Sequence, residues 1–281
     1  AAGFGRSVLS GDWMTDLKLS ILDLVPVAEG RSVSDAMAET AALAQTAEQL
    51  GYHRFWIAEH HLMPGIAGGA TSHVIGHIAA ATKTIRVGSG GIMLPNHSPL
   101  TIAEQFGTLD ALFPGRIDLG LGRAPGADMR VAQAMRRDLM RAADQFPQDV
   151  VELRAHFTGE PETGLEVTPG RGANPEMWIL GSSLFGAQLA AALGMPYAFA
   201  SHFAPDQLLP ALEIYRRNFR PSAALAEPYA MAAMNVFAAD TKDEAEYVAS
   251  SMLQAFVALR SGTPGKLRPP IENYRATLPP H

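Results

Sequence analysis

At 281 residues the chain is long for one domain but within the range of a single α/β barrel, and its 47% hydrophobic residues supply a large core. The net charge of −6 is spread along the sequence, which argues against nucleic acid, a partner that needs a concentrated basic footprint. The absence of cysteine excludes disulfides, thiolate nucleophiles and Cys-based metal or iron–sulfur sites and suits a cytoplasmic protein, and no apolar window has the length of a membrane span.

Residues 1–14 are rich in small residues and glycine and have no apolar signal-peptide core, so a leader or tag-like segment is expected there, with Met14 as a natural start. "LKLSILDLVP" (17–26) is a short apolar run closed by proline and reads as a strand. "SVSDAMAETAALAQTAEQLG" (32–51) reads as a helix, with Ser34 or Asp35 able to cap it and Gly51 to stop it. "RFWIAEHH" (54–61) and "TIRVGSGGIMLP" (84–95) are the second and third expected strands, and "SPLTIAEQFGTLDALFPG" (98–115) is a helix opened by Ser98-Pro99. "RIDLGLGRAPG" (116–126) is the fourth strand. A long, mostly helical stretch containing the loop or hairpin "TGLEVTPG" (163–170) follows, then "EMWILGSS" (176–183) and a helix over 184–194. "YAFASHF" (197–203), a helix over 205–219, "YAMAAMNVFAAD" (229–240) and a helix over 242–259 complete seven β-α units.

Continuously apolar strands alternating with amphipathic helices mean a parallel sheet covered on both faces or closed on itself. A single barrel domain is therefore expected over 15–259. The Pro- and Gly-rich tail 260–281 holds no strand, so it reads as a lid loop or a truncated C-terminus, with the eighth β-α unit absent.

In such a barrel the working residues leave from the C-terminal strand ends. Those positions are Asp23, Glu59-His60-His61, Pro95-Asn96-His97, Gly122-Arg123, Gly181-Ser182-Ser183, Ser201-His202 and Asp240. Three local features go further. "ILGSSLFGAQLA" sets glycine and two small hydroxyls where a strand turns into a helix: either an anion site suited to phosphate, or a simple serine cap. "DLGLGRAPG" fails the dinucleotide fingerprint in its spacing, so its glycines point to something large and flat near the mouth, with Arg123 a second contact or a plain surface arginine. Gly90-Gly91 within the third strand signals a close approach by a planar ring, or only a bulge. The triplet Glu59-His60-His61 is open to three readings: metal ligands, proton transfer, or a satisfied polar cluster. Neighbours on a strand point to opposite faces, which disfavours a shared metal, and His73 and His77 lack the Glu of H-E-x-x-H. Proton transfer by one histidine positioned by Glu59 suits an imidazole better.

With these residues in view, the chain closely resembles the bacterial luciferase-like, flavin-dependent monooxygenases. "FWIAEHH", "TKTIRVGSGGIMLPNHSPLTIAEQ" and "FPGRIDLGLGRAPG" look like the second to fourth strands of the luciferase α-subunit, while "GSSLFGAQLAA" and "YAFASHFAPD" are similar to a subgroup of luciferase-like oxidoreductases. The resemblance implies a (β/α)8 TIM barrel that takes reduced FMN from a separate NAD(P)H:flavin reductase. With O2 it would oxygenate a small organic substrate, a hydrophobic one judging from Trp56, Met93 and Phe203. It implies His60 as the catalytic histidine, Gly90-Gly91 as a non-prolyl cis peptide under the flavin ring and Glu104 as an acid near the cofactor. Arg123 and Ser182-Ser183, beside Gly181, would be phosphate contacts, with Arg136 or Arg137 a further phosphate arginine. Gly122 stands where some luciferases carry a reactive cysteine. Light emission is not implied. Two rivals are a non-catalytic flavin-binding protein and a member using the deazaflavin F420 for hydride transfer; a metal-dependent barrel hydrolase is a third. A homodimer is expected, with the helix near 71–82 as its face.

Overall fold

The computed structural model describes residues 17–123, 133–135, 138–159 and 166–278, so the expected leader 1–14 and both Arg136 and Arg137 lie outside the described residues. Seven strands occur among them: β1 (Ser20–Asp23), β2 (Arg54–Ile57), β3 (Arg86–Met93), β4 (Ile117–Gly122), β5 (Glu176–Gly181), β6 (Tyr197–Phe199) and β7 (Ala230–Ala232). The helices that follow them in turn are α1 (Val33–Gln49), α2 (Thr71–Ala81), α3 (Pro99–Leu112), α4 (Leu139–Thr158), α5 (Leu184–Leu193), α6 (Leu208–Asn218) and α7 (Lys242–Arg260). Each strand pairs in parallel with the next, in the order β1 to β7. No helix among the described residues is long and apolar enough to cross a membrane.

Alternation along the strands sorts side chains onto two faces. Phe55, Ile57, Val87, Leu119, Leu121 and Ile179 join helix residues such as Ile75, Ile78, Phe106 and Ala187 in the outer core. On the other face Leu22, Trp56, Trp178, Leu180, Ala198 and Met231 pack together, so residues of β1 and β2 meet residues of β5, β6 and β7. Only a curled sheet permits that contact. The result is an incomplete TIM barrel: seven units of the eight.

The N-terminal floor of the barrel is ionic. Asp118, with no exposed side-chain surface, accepts hydrogen bonds from Arg54 Nη1 (2.5 Å), Trp56 Nε1 (2.8 Å) and Arg86 Nε (2.8 Å). Glu176 takes Arg54 Nη2 (2.7 Å) and Trp178 Nε1 (3.0 Å). A charge this deep persists only when its bonds are satisfied.

Two details shape the opposite end, where the site lies. The β3–β4 register shifts between Ser89 and Ile92, and the Gly90-Gly91 peptide is cis. A Cβ on Gly90 would lie 2.6 Å from Leu22 Cδ1, and one on Gly91 would lie 2.7 Å from the Gly120 carbonyl oxygen. Close packing inside the barrel therefore already accounts for the glycines of β3 and for Gly120, for which the sequence suggested a flat ligand. The second expected strand also stops early: Ala58 to His61 belong to the loop after β2, so strand parity does not govern His60 and His61.

The segment after α7 crosses the rim as a strap. Leu267 accepts from the Glu29 amide (2.8 Å) and donates to the Val27 carbonyl (2.9 Å), and the Val27 amide in turn donates to Gly65 (2.9 Å). Gln254 on α7 donates to the Pro269 carbonyl (3.0 Å), which ties the other end down. The tail thus links α7 to the β1–α1 and β2–α2 loops.

Candidate functional site

Glu59 organises the exits of β2 and β3. Its carboxylate accepts from His61 Nε2 (2.6 Å), His97 Nε2 (2.9 Å), the Met93 amide (2.9 Å) and Asn96 Nδ2 (3.3 Å). Burial alone would raise its pKa, but the hydrogen bonds from His61, His97 and the Met93 amide outweigh that and hold it at about 2. The side chain is 1% exposed, and its oxygens are spent on protein donors. Glu59, which the sequence offers as the group that positions a histidine, is a bracket: it fixes the loop on which His60 sits. Its partners His97 and Asn96 stand in the sequence as polar groups at a strand exit, His97 also as a possible metal ligand beside His60 and His61. Their spacing of nearly forty residues from Glu59 hid the bracket.

His60 stands apart from this cluster. Its Nδ1 is buried with no partner among the described residues. Burial pushes the imidazole below its ordinary pKa, the Glu59 charge opposing that in part, so the ring is neutral at neutral pH. Unpartnered buried nitrogens are uncommon, and a role in catalysis is one physical reason for keeping one. Among the described residues no set of three or more His, Asp or Glu is arranged for a metal ion.

On the other side of the rim, β5 turns into α5 through Gly181-Ser182-Ser183. Ser183 occupies the N-cap position yet makes no capping bond with its side chain, so the serine-cap reading does not hold for it. The first turn of α5 keeps its free N–H groups and the positive end of the helix dipole. Arg123, leaving β4, lays its guanidinium 4.2 Å over the Phe185 ring in that first turn and donates through Nε to the Ala143 carbonyl (3.1 Å). Two features far apart in the sequence are thus joined: a fixed cation beside an uncapped helix N-terminus, a pairing suited to a phosphate. Glu104 does not join either group. It is exposed on α3. Gly122 is packed near Met93, 3.1 Å from Sδ to an added Cβ.

Residues 17–278 match the family described as luciferase-like monooxygenase. The chain is 56% identical to a luciferase-like monooxygenase of Escherichia coli K12 over 263 residues, 92% of this chain and 78% of that protein. It is 40% identical to the N-acetyl-S-alkylcysteine monooxygenase of Bacillus subtilis over 255 residues, 88% of this chain and 75% of that one. The crystal structure of apo-MsnO8 superposes with a TM-score of 0.86 at 37% identity, over 90% of this chain and 76% of that chain. The fold alone is shared with the FMN complex of the oxygenating constituent of 3,6-diketocamphane monooxygenase (TM-score 0.70, 19% identity, 88% and 76% covered). The same is true of an F420-dependent secondary alcohol dehydrogenase (TM-score 0.64, 17% identity, 92% and 79% covered).

Proposed function

The chain belongs to the luciferase-like monooxygenase family, and on that premise we propose that it is an FMN-dependent monooxygenase acting with O2 on a small hydrophobic organic substrate. The observation that carries the choice of cofactor is Arg123 lying over Phe185 beside the uncapped start of α5, a subsite matched to the phosphate of FMN. The same-fold FMN complex of the 3,6-diketocamphane enzyme supports it. When bound, reduced FMN supplies the electrons with which O2 is activated. Membership of this family supports a separate NAD(P)H:flavin reductase as the source of the reduced form. Further parts of the proposal are a homodimer through the α2 face, a cytoplasmic location and a role for the 260–281 tail as the lid of one barrel domain.

The chain's own residues divide the remaining work. Ser182, Ser183, the α5 amides and Arg123 hold the phosphate. Gly90-Gly91 and Gly181 shape the strand ends on which the ring would rest. His60, neutral and unpartnered at Nδ1, accepts or returns a proton near the reacting atoms. Glu59 fixes the loop that carries it. The strap and the apolar rim keep water away.

Titration with FMN in both redox states tests the cofactor. Tight binding of reduced FMN is expected, and Ser182→Asp, which puts a negative charge beside the phosphate, should weaken it by about tenfold or more. Equal affinity in that variant removes the phosphate site. Binding of F420 in preference to FMN moves the reaction to hydride transfer. A reduced-flavin complex that reacts with O2 no faster than free flavin, with no product, makes the protein a flavin binder only.

A further inference from the structure

The turn that carries Gly181, Ser182 and Ser183 is held at two points by β6. The Ala200 amide donates to the Gly181 carbonyl (2.9 Å), and Tyr197 Oη donates to the Ser183 carbonyl (3.3 Å). Both peptides are trans, and in a planar trans peptide the carbonyl and the next N–H point opposite ways. Turning the two carbonyls toward β6 therefore aims the Ser182 and Leu184 N–H groups away from it. Leu184 opens α5, so its N–H is also one of the free donors at the positive end of that helix.

The Tyr197 ring sits in a slot that two glycines leave. A Cβ on Gly186 would lie 3.3 Å from Cε2 of the ring and 3.4 Å from Gly181 Cα, and one on Gly181 would lie 3.5 Å from Oη. The end of β5, the first turn of α5 and the phenol thus meet closely. Phe199 and Tyr215 pack on the same ring, with centroids 6.1 and 5.4 Å away, and the Tyr215 hydroxyl is itself fixed on the Met195 carbonyl (2.8 Å). Tyr197 has no exposed surface, and burial pushes its phenol above the ordinary pKa, so it stays a neutral O–H donor. Phenylalanine would make every one of these packing contacts. Only the bond to Ser183 calls for tyrosine.

We propose that Tyr197 is a positioning residue for the cofactor phosphate: its hydroxyl fixes the Ser183 peptide and so directs the Leu184 N–H at the phosphate, without touching the cofactor itself. The inference rests on the FMN reading of the site and adds a residue that sets its preference for a phosphorylated flavin. A tyrosine that only met its own need for an acceptor would stabilise the fold and leave that preference alone.

Riboflavin is FMN without the phosphate, so the ratio of the two affinities isolates the phosphate contacts. Both flavins, oxidised and reduced, are titrated into the full chain and into Tyr197→Phe, with thermal unfolding followed on the same preparations. Wild type is expected to prefer FMN, and Tyr197→Phe should lower the FMN-to-riboflavin affinity ratio by about three- to tenfold, through FMN alone. Gly186→Ala, which favours the helix but crowds the ring from the other side, should lower the ratio in the same sense and serves alone if Tyr197→Phe does not fold. A lower melting temperature with the ratio unchanged, or an equal loss of both flavins, makes Tyr197 a packing residue and overturns the inference. Wild type that binds the two flavins equally overturns the phosphate subsite itself, whatever the variants do.

Discussion

One carboxylate, that of Glu59, accepts from two imidazoles, an amide side chain and a backbone N–H, and so joins the loops after β2 and β3. Replacing it by glutamine removes the charge and leaves donors facing a donor. Glu59→Gln should therefore lower stability by about 1–3 kcal/mol, measured by urea unfolding at pH 7. The native pKa of about 2 lies below the ordinary 4.5, so the stabilisation from ionised Glu59 is complete above pH 4.5 and is lost as the pH falls from there through about 2. An acid-unfolding profile in which wild type and Glu59→Gln lose stability in parallel across that window would contradict the assignment. His60 makes a different prediction. His60→Ala should slow turnover by roughly 10²–10⁴ while FMN affinity changes little. Because its pKa is depressed, a rate that needs the neutral ring should hold through pH 6.5 and fall only on the acid side of it. Unchanged turnover in the alanine variant removes His60 from proton transfer.

Elements were legible in the sequence where period and caps agreed. The alternation of apolar runs with capped helices gave seven units in the right order, and Ser98 before Pro99 caps α3 by accepting from the Thr101 amide. The ends of β2 and β7 were not legible. "AEHH" and "NVFAAD" continue the apolar lead of their strands, but the chain leaves the sheet at Ile57 and at Ala232. A residue run cannot show where a neighbouring strand stops offering partners. The strap was likewise readable as a Pro-rich tail but not as a docked one, because its partners lie at the far end of the chain. Gly65 fits it closely: a Cβ there would run into the Gly265 carbonyl. Gly65→Val should lift the strap, destabilise the protein by about 1–3 kcal/mol, and make residues 263–270 the first site of limited proteolysis. A cleavage pattern identical to wild type would show that the loop yields instead.

For the whole molecule, polar groups cluster at the two ends of an apolar barrel, and the two clusters differ in kind. The floor sets its charges against each other, Asp118 and Glu176 against Arg54 and Arg86, although Arg54 Nε is left without an acceptor. The mouth keeps nitrogens without partners, at His60 and His202. Asp118→Ala should cost about 3–5 kcal/mol by removing the buried acceptor that Arg54, Trp56 and Arg86 share, with Glu176 alone left to face the two arginines. FMN affinity in the fraction that folds should stay near wild type, and a proportionate loss of binding would mean that the ends are not independent. Polar residues at the strand exits make the mouth of a parallel barrel legible in its sequence. The floor is hidden there, because arginine and aspartate at strand starts look like ordinary surface charge until closure brings them face to face.

The strap has one more effect. Lys266 reaches the Arg31 carbonyl across 235 positions of sequence, and Leu267 borders Val27 and Glu29. Contacts that remote form only after most intervening elements have assembled, so this join is a late closure, and heating should undo it early. The opening loops after β1 then serve as a gauge of the far terminus: slackness at one would be felt at once by the other, though the barrel between them stays whole.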